Sequence, residues 1–159
     1  ATAIFEMNFG PRHPMMATLL NNAGVIYQTM GAGEQAEKNY QAVLSLAGSS
    51  ISSTSPTLGH AHNNLGELLA QRDQHRQAAG HFMAAVKIWE QAHGPNHPLI
   101  AHPLLGLARA RMALGQPQVA VGLLVRAKQL RAGNDAGQQE IQAELDRVGK
   151  TAPEPSDQP

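Results

Sequence analysis

The chain has 159 residues, room for one ordinary domain or a short repeat array, and its 42% hydrophobic and 15% charged residues separate it from disordered chains. Twelve Lys and Arg balance twelve Asp and Glu, which argues against a protein built to neutralise nucleic-acid phosphate or to sit on an anionic membrane. The sequence contains no cysteine, so a disulfide framework, a thiolate zinc site and a cysteine nucleophile are excluded together.

No apolar run approaches the roughly 20 residues that span a bilayer. Twenty-five alanines against six aromatic residues suit closely packed helices better than a β-sandwich. In chain order, Ile4-Phe5-Glu6 matches Ile88-Trp89-Glu90 at an offset of 84 residues. Residues 1–8 are therefore expected to be the tail of a preceding, truncated repeat. From there a 42-residue period organises the chain: His13-Pro14, Ser55-Pro56 and His97-Pro98 recur at that offset, as do Asn21-Asn22 and Asn63-Asn64. Gly24, Gly66 and Ala108 share one repeat position, Tyr40, Phe82 and Leu124 another, and Gly31, Asp73 and Gly115 a third. Three units follow, at about 9–50, 51–92 and 93–132.

Each unit reads as two helices. In the first, Leu20, Ala23, Gly24 and Tyr27 form one helical stripe, and Ala36, Tyr40, Val43 and Leu44 form a second. The second unit repeats this with Leu65, Gly66 and Leu69, then Ala78, Phe82 and Val86. The third does so with Leu104, Leu107 and Ala108, then Ala120, Leu124 and Ala127. Small residues at 24, 66 and 108 remove bulk where helix backbones approach. Glycine inside a helix costs about 1 kcal/mol relative to alanine, so its recurrence implies a packing reason. Pro14, Pro56 and Pro117 fit first helical positions, whereas Pro103 demands a kink or a restart at His102-Pro103. The Ser-rich stretch 48–54 reads as a loop. Residues 133–149, with Asp135 as cap, Ile141, Leu145 and Val148 on one stripe and Gly149 as stop, read as a capping helix. Residues 150–159 read as a disordered tail.

Leu20, Ala23-Gly24, Tyr27, Ala36 and Tyr40 resemble the tetratricopeptide signature. The linkers Phe9-Gly10-Pro11-Arg12-His13-Pro14 and His93-Gly94-Pro95-Asn96-His97-Pro98 resemble the kinesin-light-chain type of that repeat. The middle linker keeps only its proline, and the third copy lacks the Asn pair and has Arg111 where the first has Tyr27. The resemblance implies an all-α fold, a right-handed α-solenoid of antiparallel helix pairs. It also implies that the first helices line a concave groove that binds peptides or partner proteins.

If so, the groove wall consists of Thr18, Asn21, Asn22, Val25 and Gln28 from the first copy, and of His60, Asn63, Asn64, Glu67 and Gln71 from the second. The third copy supplies His102, Leu105, Arg109 and Met112. Asparagine is a poor helix former because its amide competes for backbone hydrogen bonds. Two such pairs at one repeat position point either to clamping of a peptide backbone, with Asn22 and Asn64 the preferred contacts, or to bonds between neighbouring helices. Arg109 is the only Lys or Arg of this wall, which argues against capture of a C-terminal carboxylate. Glu67 and Arg109 share a repeat position and are expected to form a partly exposed ion pair, the alternative being a mixed-charge anchor for a peptide.

Eight histidines are many for this length. His13 and His97 belong to the linkers, His62 falls on the packing face, and His60 and His102 share a groove position where their titration near neutrality would be felt. No His-Glu-x-x-His pattern, phosphate loop or nucleophile elbow occurs. The reading is a non-enzymatic module with a protein or peptide ligand, no cofactor, no metal, no nucleic acid and no membrane insertion. Its alternatives are a self-associating, architectural array, homo-oligomeric through the N-terminal end at Ile4 and Phe5, or a regulatory segment of a larger signalling protein. Lack of cysteine is compatible with cytosol or periplasm, and a cytoplasmic setting is favoured.

Overall fold

A computed structural model describes residues 13–131 and 135–151. Among them seven α-helices follow in order: α1 (Pro14–Thr29), α2 (Gly33–Ser45), α3 (Pro56–Gln71), α4 (His75–His93), α5 (Ala101–Ala113), α6 (Pro117–Leu130) and α7 (Asp135–Thr151). They pair as α1 with α2, α3 with α4 and α5 with α6, each pair stacks on the next, and α7 packs on α6. The fold is an all-α solenoid of antiparallel helix pairs. The expectation placed on residues 1–8 lies outside the described residues.

The prolines explain where helices begin. Pro14, Pro56 and Pro117 open α1, α3 and α6, where an absent N–H removes no intrahelical bond. The His-Pro pairs add a cap: His13 Nδ1 accepts from the Met15 N–H at 3.2 Å and His97 Nδ1 from the Leu99 N–H at 3.3 Å. Ser55, which replaces histidine in the middle linker, makes no such bond. Near Pro103 an α-helix starts afresh at Ala101, one residue before the expected restart. A 3₁₀ turn, Pro98–Ile100, precedes α5, so Pro103 falls in the first turn, where its N–H would have had no partner in the helix. The turns within each pair need a left-handed residue, supplied by Gly31 (φ 75°), Asp73 (φ 59°) and Gly115 (φ 72°). Asp135 is the first residue of α7, and the helix runs through Gly149 to Thr151. Gly149 is not among the residues of positive φ that end a helix by turning left-handed. The expected tail thus begins inside the helix, and residues 152–159 lie outside the described residues.

Packing is built on aromatic rings laid against glycine. Tyr40 is fully buried and covers Gly24, while Trp89, 2% exposed, covers Gly59. Phe82 lies between two helices: a Cβ on Gly66 would stand 2.9 Å from its ring and one on Gly106 2.5 Å. The third pair solves the same contact with the opposite sizes, Ala108 against Leu124, both fully buried. We expect Gly66→Ala to lose about 1–2 kcal/mol, the overpacking cost net of alanine's better helix propensity. Adding Phe82→Leu should return part of that loss, measured as the urea midpoint.

One polar pair stands inside this packing. His62 of α3 and His81 of α4 occupy positions that the third unit fills with Leu104 and Leu123. Their Nδ1 atoms are 3.0 Å apart, so one ring donates, the other accepts, and at least one is neutral. Burial, then His81, lowers the His62 pKa to about 4 from 6.5. Burial also lowers His81, against the opposing pull of Glu37. The unfolded chain therefore binds more protons than the folded chain between these limits. The pair's contribution is whole above pH 6.5 and is lost as pH falls through that window toward 4. Thermal unfolding should shift to lower temperature on going from neutral to mildly acidic buffer. His62→Leu should flatten that slope.

Candidate functional site

The first helices of the second and third pairs, α3 and α5, carry their polar residues toward two adjoining hollows of about 720 and 430 Å³. The larger is lined by His60, Asn63, Asn64 and Glu67 of α3 and by His102 of α5, with Trp89 and Leu130 closing it from the second helices. The smaller holds Glu67, Gln71, His102, Leu105 and Arg109 over Phe82 and Gly106. Glu67, His102 and Arg131 belong to both, so the two form one continuous groove.

Hydrogen bonds divide its side chains into those already occupied and those left open. Asn64 donates to Asn21 Oδ1 at 3.3 Å, tying α3 to α1. Asn63 is 5% exposed and donates to Glu67 Oε1 at 2.9 Å, but its own buried Oδ1 has no partner. Glu67 also faces His102 Nε2 at 3.4 Å. His60 stands edge-on to Trp89 with ring centroids 5.0 Å apart. Burial first, then His93 and His102, lowers its pKa, so neutral pH leaves it an uncharged donor and acceptor. His93 and His97 stack at 4.6 Å beside the groove mouth.

The expected Glu67–Arg109 ion pair is not formed. Arg109 reaches forward to α7, with Nε 2.9 Å from Glu144 Oε1 and Nη2 3.1 Å from Glu140 Oε1, while Glu67 meets His102. Glu67 and Arg109 each pair 35 residues ahead, with a side chain nearer the start of the following first-position helix than their own repeat position. Arg109 thereby fastens the capping helix, since Glu144 is 5% exposed and needs a counter-charge. Arg147 also approaches Glu144, at 3.3 Å. Arg109→Ala should destabilise the chain by about 1–3 kcal/mol and speed amide exchange in α7 before the rest, read by hydrogen exchange.

Of the residues expected on the wall, His60, Asn63, Asn64, Glu67, Gln71, His102 and Arg109 line the two hollows, as does Leu105. Asn21 touches the site through Asn64. Gln28 is taken by the Tyr40 hydroxyl, which donates to it at 2.8 Å. Burial first, then Glu67, raises the Tyr40 pKa to about 12, so that hydroxyl keeps its proton. Thr18, Asn22 and Val25 are solvent-exposed on α1 and line neither hollow. Met112 packs at the edge of the core. Sequence reasoning missed Trp89, Leu130, Arg131 and Glu140. Trp89 and Arg131 are themselves 42 residues apart, so the same offset, applied to the ends of the second helices, was the signal. Among the described residues no group of three or more His, Asp or Glu is placed to hold a metal ion, and no helix is long and apolar enough to cross a membrane.

Residues 57–132, the stretch that builds this groove, match the family model described as tetratricopeptide repeat. Residues 57–132 carry tetratricopeptide repeats. The chain is similar in fold to several solved structures. One is from Podosopora anserina, described as a kinesin light chain with nearly identical TPR-like repeats (TM-score 0.76, 23% identity, 94% of this chain and 72% of that one). Another is BtubC (BKLC) from P. vanneervenii (TM-score 0.70, 15% identity, 92% and 70%). A third is the N-terminal domain of stress-induced protein-1 from C. elegans (TM-score 0.67, 14% identity, 86% and 96%). At these identities the likeness is one of fold. Tetratricopeptide repeats generally mediate protein–protein interaction.

Proposed function

We propose that the chain is a non-enzymatic interaction module that holds an extended segment of another protein in the groove between α3 and α5. One observation carries this reading: Asn63 is buried, lines the larger hollow, and offers a carbonyl oxygen with no donor. A buried amide oxygen without a partner is costly, and a peptide N–H in the groove would satisfy it once the Asn63 side chain turns its oxygen toward the hollow. Asn64, His60 and His102 supply further polar contacts beside it, while Trp89 and Leu130 give side chains of the ligand an apolar floor. Asn64 retains a role in this reading, and Asn22, exposed on α1, would extend the contact only for a ligand long enough to reach the first pair.

A second reading has its own observation. Ile26 and Met30 on α1 are 59% and 72% exposed, whereas Leu68, which matches Ile26 in the next unit, is 4% exposed beneath α2. That face suits a homo-oligomeric or intramolecular contact at the N-terminal end. Light scattering across concentration separates the two readings.

For the groove, a peptide array of extended segments is screened with the native chain and then with Asn63→Leu and Asn64→Ala. Each change should weaken a captured peptide by about 1–3 kcal/mol with the unfolding temperature and helicity retained. Equal binding by native chain and folded variants would move the interface off this groove.

A further inference from the structure

We propose that the array carries a second site, an oxyanion-binding hollow between α4 and the end of α5, built on Arg76 and Arg111. This hollow, about 290 Å³, shares no lining residue with the groove and contains no acidic side chain.

Arg111 is the anomaly that points to it. Its repeat position holds Tyr27, 38% exposed, in the first unit and the buried Leu69 in the second, so a guanidinium stands where the neighbouring unit packs a leucine. Its Nη1 donates to Gln116 Oε1 at 2.8 Å. The other edge is not satisfied: Nη2 reaches only the Met83 sulfur at 3.6 Å, and the buried Nε N–H has no acceptor. A thioether is a weak acceptor, and Nε with Nη2 is one of the two-donor edges by which arginine grips carboxylate and phosphate. Among the ion pairs of the described residues, neither Arg111 nor Arg76 has a carboxylate partner. Fold stability gives no reason to hold a half-buried cation without a counter-charge where leucine packs in the neighbouring unit.

The surroundings admit a ligand. Met83 is 47% exposed on a flexible, unbranched side chain that can swing aside. Gly80, which also lines the hollow, has nothing within 4 Å of where a Cβ would stand. An oxyanion there accepts from Nε–H and Nη2–H of Arg111, with Arg76 on its other side. Two guanidinium charges facing one small hollow match a tetrahedral dianion of the phosphate class, either a free ion or a phosphoryl group carried on a partner.

The test is a titration of the native chain with inorganic phosphate near neutral pH, at ionic strength held constant with chloride. It is followed by the amide resonances of Gly80, Gly115 and Gln116 and by the Arg111 Nε–H signal. Phosphate should produce saturable shifts confined to these groups. Arg111→Leu, which installs the residue found at Leu69, and Arg76→Gln should each weaken binding about tenfold or more. Arg76 is exposed, so its variant keeps the test available even if Arg111→Leu disturbs folding. O-phosphoserine, titrated in parallel, distinguishes the sources. Saturation by both ligands admits a phosphorylated partner, and saturation by phosphate alone assigns the hollow to a free ion. Shifts that stay linear, that acetate reproduces at equal strength, or that persist in both variants would overturn the proposal.

Discussion

Phe82 lies against the backbone of Gly66 in its own repeat and of Gly106 in the next, with no room for a Cβ on either. The ring therefore acts as a spacer between α3 and α5, and the distance it sets is the width of the groove above it, where Phe82 and Gly106 form part of the floor. Tyr40 on Gly24 and Trp89 on Gly59 repeat the device within the first and second pairs. Dispersion contacts between a flat ring and a bare backbone are dense, which lets a chain with few aromatic residues stack helices closely. The site depends on this contact more than on any hydrogen bond within it, because the polar side chains only reach one another at the spacing it fixes.

Electrostatics along the groove run forward through the array. Glu67 of α3 meets His102 of α5, and Arg109 of α5 meets Glu140 and Glu144 of α7. Glu67 and Arg109 carry opposite charges, so the wall has little net charge, in keeping with the balanced composition of the chain. A ligand that enters finds amides, neutral imidazole and an apolar floor rather than a cationic cradle. Arg111 breaks that economy, since the neighbouring unit packs a leucine at its position and its charge meets no acid among the described residues. Such a residue is better explained by something it binds than by the packing it replaced.

Much of what repeats at 42 residues was readable in the sequence, as with the helix pairs, the glycine or alanine at 24, 66 and 108, the turn shared by Gly31, Asp73 and Gly115, and Pro14 and Pro56, which open helices. Features that arise between non-equivalent positions were not. The Glu67–Arg109 pair was expected from shared register, yet register does not state which level of the next helix a long side chain reaches. Trp89 and Arg131 were overlooked for the groove because the second helices were assigned wholly to packing, although their ends turn inward and close the larger hollow. The Asn pairs showed that those amides had a purpose without dividing them. Only the tertiary structure separates Asn64, bonded to Asn21, from Asn63, whose buried oxygen is left unpaired.

The class of fold, and the helical spacing behind it, can be read from the amino-acid sequence alone. Periodicity acts locally, through helical spacing and the steric demands of Gly and Pro, and local rules need no knowledge of the neighbour. The tertiary structure alone decided which polar atoms are spent on each other and which remain for a ligand. Hydrogen bonds and ion pairs depend on distances of a few ångströms between residues dozens of positions apart, and those are set by how far ring and glycine let two helices approach.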